Sequence, residues 1–198
     1  MTAVPKTKLT VAEYLAIERR AEFKSEFYDG EMFAMAGASF AHNRVTENLS
    51  GELYGRLKGG PCQAFSSDLR VRIERTGLYC YPDLVVVCGE PQMAEEDKDT
   101  LVNPRVVFEV LSPSTERYDR TTKYRHYQLL PSVQEYVLVA QDEPLCERYV
   151  RQPDGVWTPT QYVGLDAKLE LTSVPVAVPL NDIYAGVTFP PRARPGPI

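Results

Sequence analysis

The sequence has few of the residues that build structural zinc sites, and it lacks a surplus of basic charge. Four cysteines and two histidines occur in 198 residues, with no Cys-x-x-Cys or Cys/His pairing, which excludes a zinc-finger module. Asp and Glu outnumber Lys and Arg by 27 to 22, for a net charge of −5. No global basic field attracts nucleic acid, which counts against a DNA-coating protein. An enzyme that meets phosphates locally through a metal remains compatible with this balance.

Long apolar runs are also missing. No run approaches membrane-spanning length, and the first eight residues lack an apolar signal core. We therefore expect a cytoplasmic protein with no membrane partner and with reduced cysteines. Cys80 and Cys88 lie in or beside a strand-like run, so each is expected to be a small buried thiol.

The chain is long enough for one good hydrophobic core. With 43% hydrophobic residues, it is most simply a single domain over residues 1–198. The main body is expected over about 8–186. The proline-rich tail over 190–198 is expected to be loose.

Local signals predict a mixed α/β (α+β) fold with an N-terminal helix and hairpin and with C-terminal hairpins. Thr10 and Glu13 form a capping box, Asp29-Gly30 is a hairpin turn, and Leu49 belongs to a helical stripe of apolar residues four apart. The charged stretch over 89–103 has no strong pattern and is predicted to be a loop. Strands are predicted over 23–28, 31–35, 67–74, 81–88, 105–111, 134–140, 145–151 and 156–162, and helices over 10–20, 45–57 and 116–130.

Two carboxylates stand in apolar strand-like runs. Glu109 lies inside the run 106–111, and Asp83 opens the run 81–87. An unpartnered buried carboxylate is costly, so such groups pair with a cation or bind a metal. If the two strands are neighbours, both side chains can converge at one sheet end and hold Mg²⁺ or Mn²⁺. The alternative is that Asp83 is a strand-entry residue after a proline and that Glu109 neutralises a buried arginine.

Lys123 follows on the predicted helix after the Glu109 strand. It is four residues from Asp119 and from Tyr127, so the three share one helix face. A surface Asp–Lys pair is the simple interpretation. The other is that Lys123 folds back over the sheet end, where an ammonium could stabilise charge on a phosphate or orient a water.

Several short strings of this chain form one set that is typical of a known family. They are Tyr81-Pro82-Asp83, Phe108-Glu109-Val110-Leu111-Ser112-Pro113-Ser114-Thr115, Asp119 with Lys123-Tyr124, Leu9-Thr10-Val11-Ala12-Glu13-Tyr14, Glu26 with Asp29-Gly30-Glu31, Ala36-Gly37-Ala38-Ser39 with His42, and Ser67-Asp68-Leu69-Arg70-Val71. Together they closely resemble the Uma-two family of the PD-(D/E)xK restriction-nuclease superfamily. The resemblance covers about residues 8–186, and its most specific part is the Glu-Val-Leu-Ser-Pro-Ser-Thr string that begins at Glu109.

The resemblance implies a restriction-endonuclease-like mixed sheet flanked by helices, with its core over about 42–140. It also implies that Asp83 and Glu109 are the paired catalytic and metal-binding acids. The chain departs from the superfamily pattern at Leu111, where a lysine would stand, and in the family the basic residue comes from the next helix, which here gives Lys123. Four further residues match family positions with less defined roles: Glu26, His42, Asp68 and Asp119. His42 is as compatible with capping or packing, and Asp68 with pairing to a nearby arginine.

Three hypotheses about function follow. The first is a Mg²⁺- or Mn²⁺-dependent endonuclease that acts on nucleic acid, with DNA as the expected partner. The second is a nucleic-acid-binding or protein-binding module on the same fold without efficient chemistry, which the acidic charge balance favours. The third is a regulatory oligomer, such as a homodimer, that pairs edge strands from the hairpins after Gln134. An intact set of Asp83, Glu109 and Lys123 favours the first.

Overall fold

The computed structural model describes residues 8–190, so the tail expected to be loose lies outside the described residues except for Pro190. Runs of consecutive strands are separated by a few helices, and the expected mixture of α and β structure is confirmed. The helices are α1 (Val11–Glu18), α2 (Phe40–Leu57), α3 (Glu116–Tyr118), α4 (Tyr124–Gln128) and α5 (Leu180–Ile183), with a π-helical turn (Asp119–Lys123) between α3 and α4. The strands are β1 (Ser25–Tyr28), β2 (Glu31–Ala34), β3 (Cys62–Ser66), β4 (Arg70–Ile73), β5 (Leu78–Cys80), β6 (Leu84–Cys88), β7 (Met93–Ala94), β8 (Asp97–Leu101), β9 (Val106–Leu111), β10 (Glu135–Ala140), β11 (Leu145–Arg151), β12 (Trp157–Val163), β13 (Lys168–Glu170) and β14 (Ala177–Pro179).

The strands form two six-stranded mixed sheets and one small hairpin. The first sheet has the order β2-β1-β5-β4-β8-β7, and the second has the order β12-β11-β10-β9-β6-β3. Parallel pairing occurs between β4 and β8 and between β9 and β10. The remaining strands β13 and β14 pair with each other.

Two hydrophobic clusters hold the second sheet between its neighbours. On one face, the apolar stripe of α2 packs against alternate residues of β9, such as Phe108, and against α5. On the opposite face, Val107 and Val85 pack with first-sheet residues such as Val71 and with Tyr127 of α4. Glu109 shares this second face with Val107 because residues two apart in a strand point the same way.

The predicted helix cap and the predicted hairpin turn near the N-terminus are both confirmed. Thr10 and Glu13 form the reciprocal capping box of α1. Asp29 and Gly30 both have positive φ angles, 48° and 80°, as a type I′ turn between β1 and β2 requires. Within residues 8–190, no helix combines the length and apolar character needed to cross a bilayer.

The prediction of a loop over 89–103 is wrong, because β7 and β8 lie there. The first residue of β8, Asp97, points inward and pairs with Arg70 of β4. Arg70 also donates to the hydroxyls of Thr100 and Tyr81, at 2.8 and 2.9 Å, and Arg19 donates to Asp97 at 2.8 Å. We call these five residues the arginine network. The inward orientation of Asp97 depends on its ion pair with Arg70, which lies on another strand, so no local sequence pattern indicates β8.

The expectation for Cys88 is also wrong. Cys62 and Cys88 stand directly opposite each other on the antiparallel strands β3 and β6, and they form a disulfide. Cys80 is a buried free thiol, as expected. The pairing depends on strand register, which the spacing of cysteines along the chain does not contain.

Candidate active site

The carboxylates of Asp83 and Glu109 come together through the pairing of β6 with β9. Leu84 lies opposite Phe108 in this antiparallel pair, so Asp83, one residue earlier, lies beside Glu109 on the same face of the sheet. The Asp83 carboxylate accepts a hydrogen bond of 2.7 Å from the backbone N–H of Val110. This bond holds Asp83 against the C-terminal half of β9.

Lys123 reaches the same place from the π-helical turn. Its Nζ atom lies 3.1 Å from Oε1 of Glu109, 2.9 Å from Oε1 of Glu26 and 3.6 Å from Oδ1 of Asp119. We call these four residues the lysine cluster. All four side chains are buried, and Lys123 is their shared cation. Single π turns inside helices occur frequently at functional sites.

Tyrosine hydroxyls enclose the lysine cluster on its inner side. Tyr127 donates to Oε1 of Glu109 at 3.2 Å, and Tyr136 donates to the backbone carbonyl of Asp119 at 2.9 Å. The second bond satisfies a carbonyl within the π turn, where regular α-helical pairing is interrupted. The Tyr118 ring lies 5.7 Å from the Lys123 ammonium. The Tyr127 contact orients Glu109, and the Tyr136 contact holds the backbone of the π turn, before any ligand arrives.

The open side of the site is formed by Asp83 and His42. Their side chains are 17% and 13% exposed, whereas that of Glu109 is 3% exposed. His42 lies in the first turn of α2, and its Nε2 atom is 3.3 Å from Oδ2 of Asp83. A ligand therefore has to approach from the side of Asp83 and His42.

The site holds more acid than its one buried ammonium can neutralise. Burial raises the pKa of Glu109 well above its ordinary value; Lys123 lowers it, and the carboxylates of Asp119 and Asp83 raise it again. Burial, opposed by Lys123, also raises the pKa of Asp119. For Lys123, burial alone would lower the pKa, but the surrounding carboxylates outweigh it and hold the pKa well above the ordinary lysine value. An added cation would relieve this surplus of negative charge.

Six of the seven residues singled out in the sequence come together at this place. Asp68 does not: its side chain is 93% exposed and pairs with Lys24 at 2.8 Å. It pairs with neither Arg70 nor Arg72, so the interpretation of Asp68 as the partner of a nearby arginine is wrong. The catalytic and metal-binding roles of the others remain predictions. The six assembled residues are Glu26, His42, Asp83, Glu109, Asp119 and Lys123.

Sequence reasoning missed two tyrosines that hold the site, Tyr118 and Tyr136. Both stand in segments whose elements were predicted, but a tyrosine in a strand or helix usually packs without a polar role. The Tyr136 hydroxyl has a hydrogen-bond partner because the fold places the Asp119 carbonyl beside it. No signal in the sequence marks this contact.

The donor set suits a hard divalent cation that keeps part of its water shell. Among residues 8–190, no group of three or more His, Cys, Asp or Glu side chains is arranged to hold a metal ion. Mg²⁺, however, is commonly bound by one or two protein carboxylates, with waters and substrate oxygens completing its shell. Asp83 and Glu109, neighbours at the end of the β6–β9 pair, are the two carboxylates that could meet this smaller requirement.

Comparison with known proteins gives a consistent result. The profile of one family, described as "Uma2: Putative restriction endonuclease", matches residues 11–181. Two proteins of Synechocystis sp. (strain ATCC 27184 / PCC 6803 / Kazusa) are similar to this chain. "Uncharacterized protein slr1290" is 37% identical, over 94% of this chain and 97% of the relative. "Uncharacterized protein sll1609" is 38% identical, over 87% of this chain and 98% of the relative.

A solved structure shares the fold. The crystal structure of "a putative nuclease belonging to DUF820" from Anabaena variabilis ATCC 29413 superposes with a TM-score of 0.73. It is 20% identical and covers 91% of this chain and 99% of that chain. This likeness confirms the mixed α+β, restriction-endonuclease-like fold expected from the sequence.

Proposed function

This chain belongs to the Uma2 family, and from that premise we propose that it is a metal-dependent nuclease. It hydrolyses phosphodiester bonds of nucleic acid, with DNA as the expected substrate. The observation that carries the proposal is the contact of Lys123 with Glu109, at 3.1 Å, on the strand directly beside Asp83. The descriptions of the family and of the Anabaena variabilis protein support the same reaction class.

Asp83 and Glu109 would hold Mg²⁺ or Mn²⁺. When bound, the cation would supply Lewis acidity to the phosphate and lower the pKa of a water molecule. Asp83 is fixed by the Val110 backbone N–H and Glu109 by Tyr127. These contacts orient the two carboxylates in advance, so little reorganisation is needed when the ligands bind.

Lys123 provides the positive charge that the family's sequence pattern places on the next helix. It stabilises negative charge that develops on the phosphate in the transition state, a role that depends on the position of its ammonium. Glu26 and Asp119 keep it protonated and hold it near Glu109. His42 positions Asp83 at the open side of the site.

The test combines metal binding with cleavage. Titration of Mn²⁺ or Mg²⁺ into the wild-type protein should show binding that Asp83→Asn and Glu109→Gln abolish, since each change removes a charged oxygen ligand. The same variants should lose cleavage of single-stranded DNA, duplex DNA and RNA. Asp68→Asn, an acidic-to-neutral change outside the site, is the matched control and should behave as wild type.

Two results would contradict the proposal. Cleavage that persists undiminished in purified Asp83→Asn would show that the activity belongs elsewhere. Divalent-cation binding that is unchanged in both variants would show that the cation binds outside the candidate site. Binding of nucleic acid without metal-dependent cleavage would favour the binding-module hypothesis.

A further inference from the structure

An uncharged, mostly exposed segment connects the two sides of the candidate site. Residues 32–41 read Met-Phe-Ala-Met-Ala-Gly-Ala-Ser-Phe-Ala and include no charged side chain. They link the edge strand β2 to the start of α2, where His42 stands beside Asp83. We call this segment the rim.

One residue of the rim, Phe33, stands on the face of the first sheet that carries the lysine cluster. Phe33 lies directly opposite Glu26 in the β1–β2 hairpin. Directly opposite residues project to the same face, with Cβ atoms about 4.5–5.5 Å apart. Glu26 in turn contacts Lys123 at 2.9 Å. The Phe33 ring is therefore an immediate neighbour of the site.

The fold itself makes little use of this ring. Phe33 is 49% exposed, and within residues 8–190 it has no ring contact with another aromatic side chain. The preceding residue, Met32, projects to the other face and packs against the cluster of Tyr14 and Leu15. The apolar surface of Phe33 is thus available to a ligand at the site.

We propose that Phe33 is a stacking platform for an unpaired base of the nucleic-acid substrate, next to the phosphate that is cleaved. The proposal deepens the proposed function and rests on it. Base faces are covered by their neighbours in an intact duplex, so a ring at this position has a partner only in a single strand or at an opened base step. The enzyme therefore prefers substrates with unpaired bases.

The charges at the site point the same way. Three carboxylates surround Lys123, Asp83 adjoins one of them, and the Lys123 ammonium is buried and already paired. Such a site offers little of the phosphate neutralisation on which duplex-binding proteins depend. Stacking on an aromatic ring contributes binding energy without any need for protein charge.

The experiment measures binding and cleavage on matched oligonucleotides. The probe is a single strand of about 12 nucleotides that contains 2-aminopurine, compared with its blunt duplex, at low salt in Ca²⁺. We expect Phe33→Leu to weaken single-strand binding about tenfold and to reduce the fluorescence quenching of 2-aminopurine. Phe33→Tyr keeps a ring and should stay within about twofold of wild type.

The control is Tyr54→Ala, which removes an exposed aromatic ring from the far half of α2, where Lys58 lies over it. It should leave both measurements unchanged. Equal binding by Phe33→Leu and Phe33→Tyr would overturn the proposal, as would an equal loss on single strand and duplex. A change in oligomeric state on Phe33→Leu would also overturn it, because Phe33 would then be an interface residue.

The failure of this proposal and the failure of the proposed function give different results. Cleavage that depends on Asp83 but not on the Phe33 ring leaves the nuclease assignment standing and removes the stacking platform. Single-strand binding that depends on the Phe33 ring, without cleavage that depends on Asp83, supports the platform and removes the nuclease assignment.

Discussion

The arginine network and the lysine cluster are both buried, but they differ in charge balance. In the arginine network, Arg19, Arg70 and the Thr100 hydroxyl contact one carboxylate, Asp97, while the Tyr81 hydroxyl contacts Arg70. In the lysine cluster, three carboxylates surround one ammonium, and a fourth, Asp83, adjoins Glu109. Asp97 and Glu109 are each 3% exposed. Glu109 nevertheless lies deeper in the protein than Asp97, so the two carboxyl groups differ in desolvation as well as in their partners.

The pKa values of the two carboxyl groups shift in opposite directions. Although burial raises the pKa of Asp97, hydrogen bonds from Thr100, Arg19 and Arg70 lower it to about 2. For Glu109 the pKa is raised, by burial and by neighbouring acids that one lysine does not offset. A saturated network of this kind stabilises the fold. A carboxylate surplus in the same protein costs stability, and we propose that a cation binds there.

Asp97→Asn should produce the largest loss of stability, because it leaves Arg70 as an uncompensated buried charge. We expect the free energy of unfolding in urea to fall by about 3–5 kcal/mol. Arg56→Ala, which removes a surface pair with Glu52, is the control and should cost less than about 1 kcal/mol. A small effect of Asp97→Asn would mean that the balanced network is not what stabilises this region.

Lys123→Met should produce the second-largest loss of stability. It removes the shared cation, but the carboxylates left behind can reduce the cost by taking up protons, so we expect a loss of about 2–3 kcal/mol at neutral pH. Adding Mg²⁺ should restore more stability to this variant than to the wild type, since the divalent ion supplies the missing charge. Urea unfolding with Mg²⁺ and with EDTA measures both effects. Equal responses to Mg²⁺ would argue against a cation at this position.

Glu109→Gln should change stability by no more than about 1 kcal/mol in EDTA, since Glu26 and Asp119 still pair with Lys123. Whether the variant is more or less stable than the wild type depends on pH. With its pKa raised in the folded state, Glu109 makes stability fall as pH rises above its ordinary value of 4.5 toward the raised one. The variant lacks this fall, so its stability relative to the wild type should increase as the pH rises from 4.5. Urea unfolding measured between pH 4 and 8 tests this expectation. A variant that gains stability relative to the wild type as the pH falls would contradict a raised pKa of Glu109.

Asp68→Ala should have the smallest effect. Its side chain is almost fully exposed, and its partner Lys24 also contacts the backbone of Ser67. We expect a change in the free energy of unfolding of less than about 0.5 kcal/mol and unaltered cleavage. Reduced cleavage with normal stability would place Asp68 in substrate binding after all.

Local rules of sequence account for the elements that were predicted. The hairpin at Asp29-Gly30 depends on two turn residues, and the Leu49 stripe depends only on helical periodicity. The six assembled site residues followed from two apolar runs, one helix spacing and the family resemblance. What could not be predicted depends on distant partners: β8 needs Arg70, and the Cys62–Cys88 disulfide needs the register of β3 with β6.

The π-helical turn makes the number of residues between Asp119 and Lys123 as important as their identities. Each residue in an α-helix advances the direction of the following side chains by about 100°. Deleting Thr121, whose side chain is exposed, would therefore rotate Lys123 away from Glu109 or rotate Asp119 out of the cluster. Substitutions at Thr121 leave the helical phase unchanged. The length of this turn is therefore as strict a requirement of the lysine cluster as the identities of Asp119 and Lys123, whereas the residue at position 121 is not.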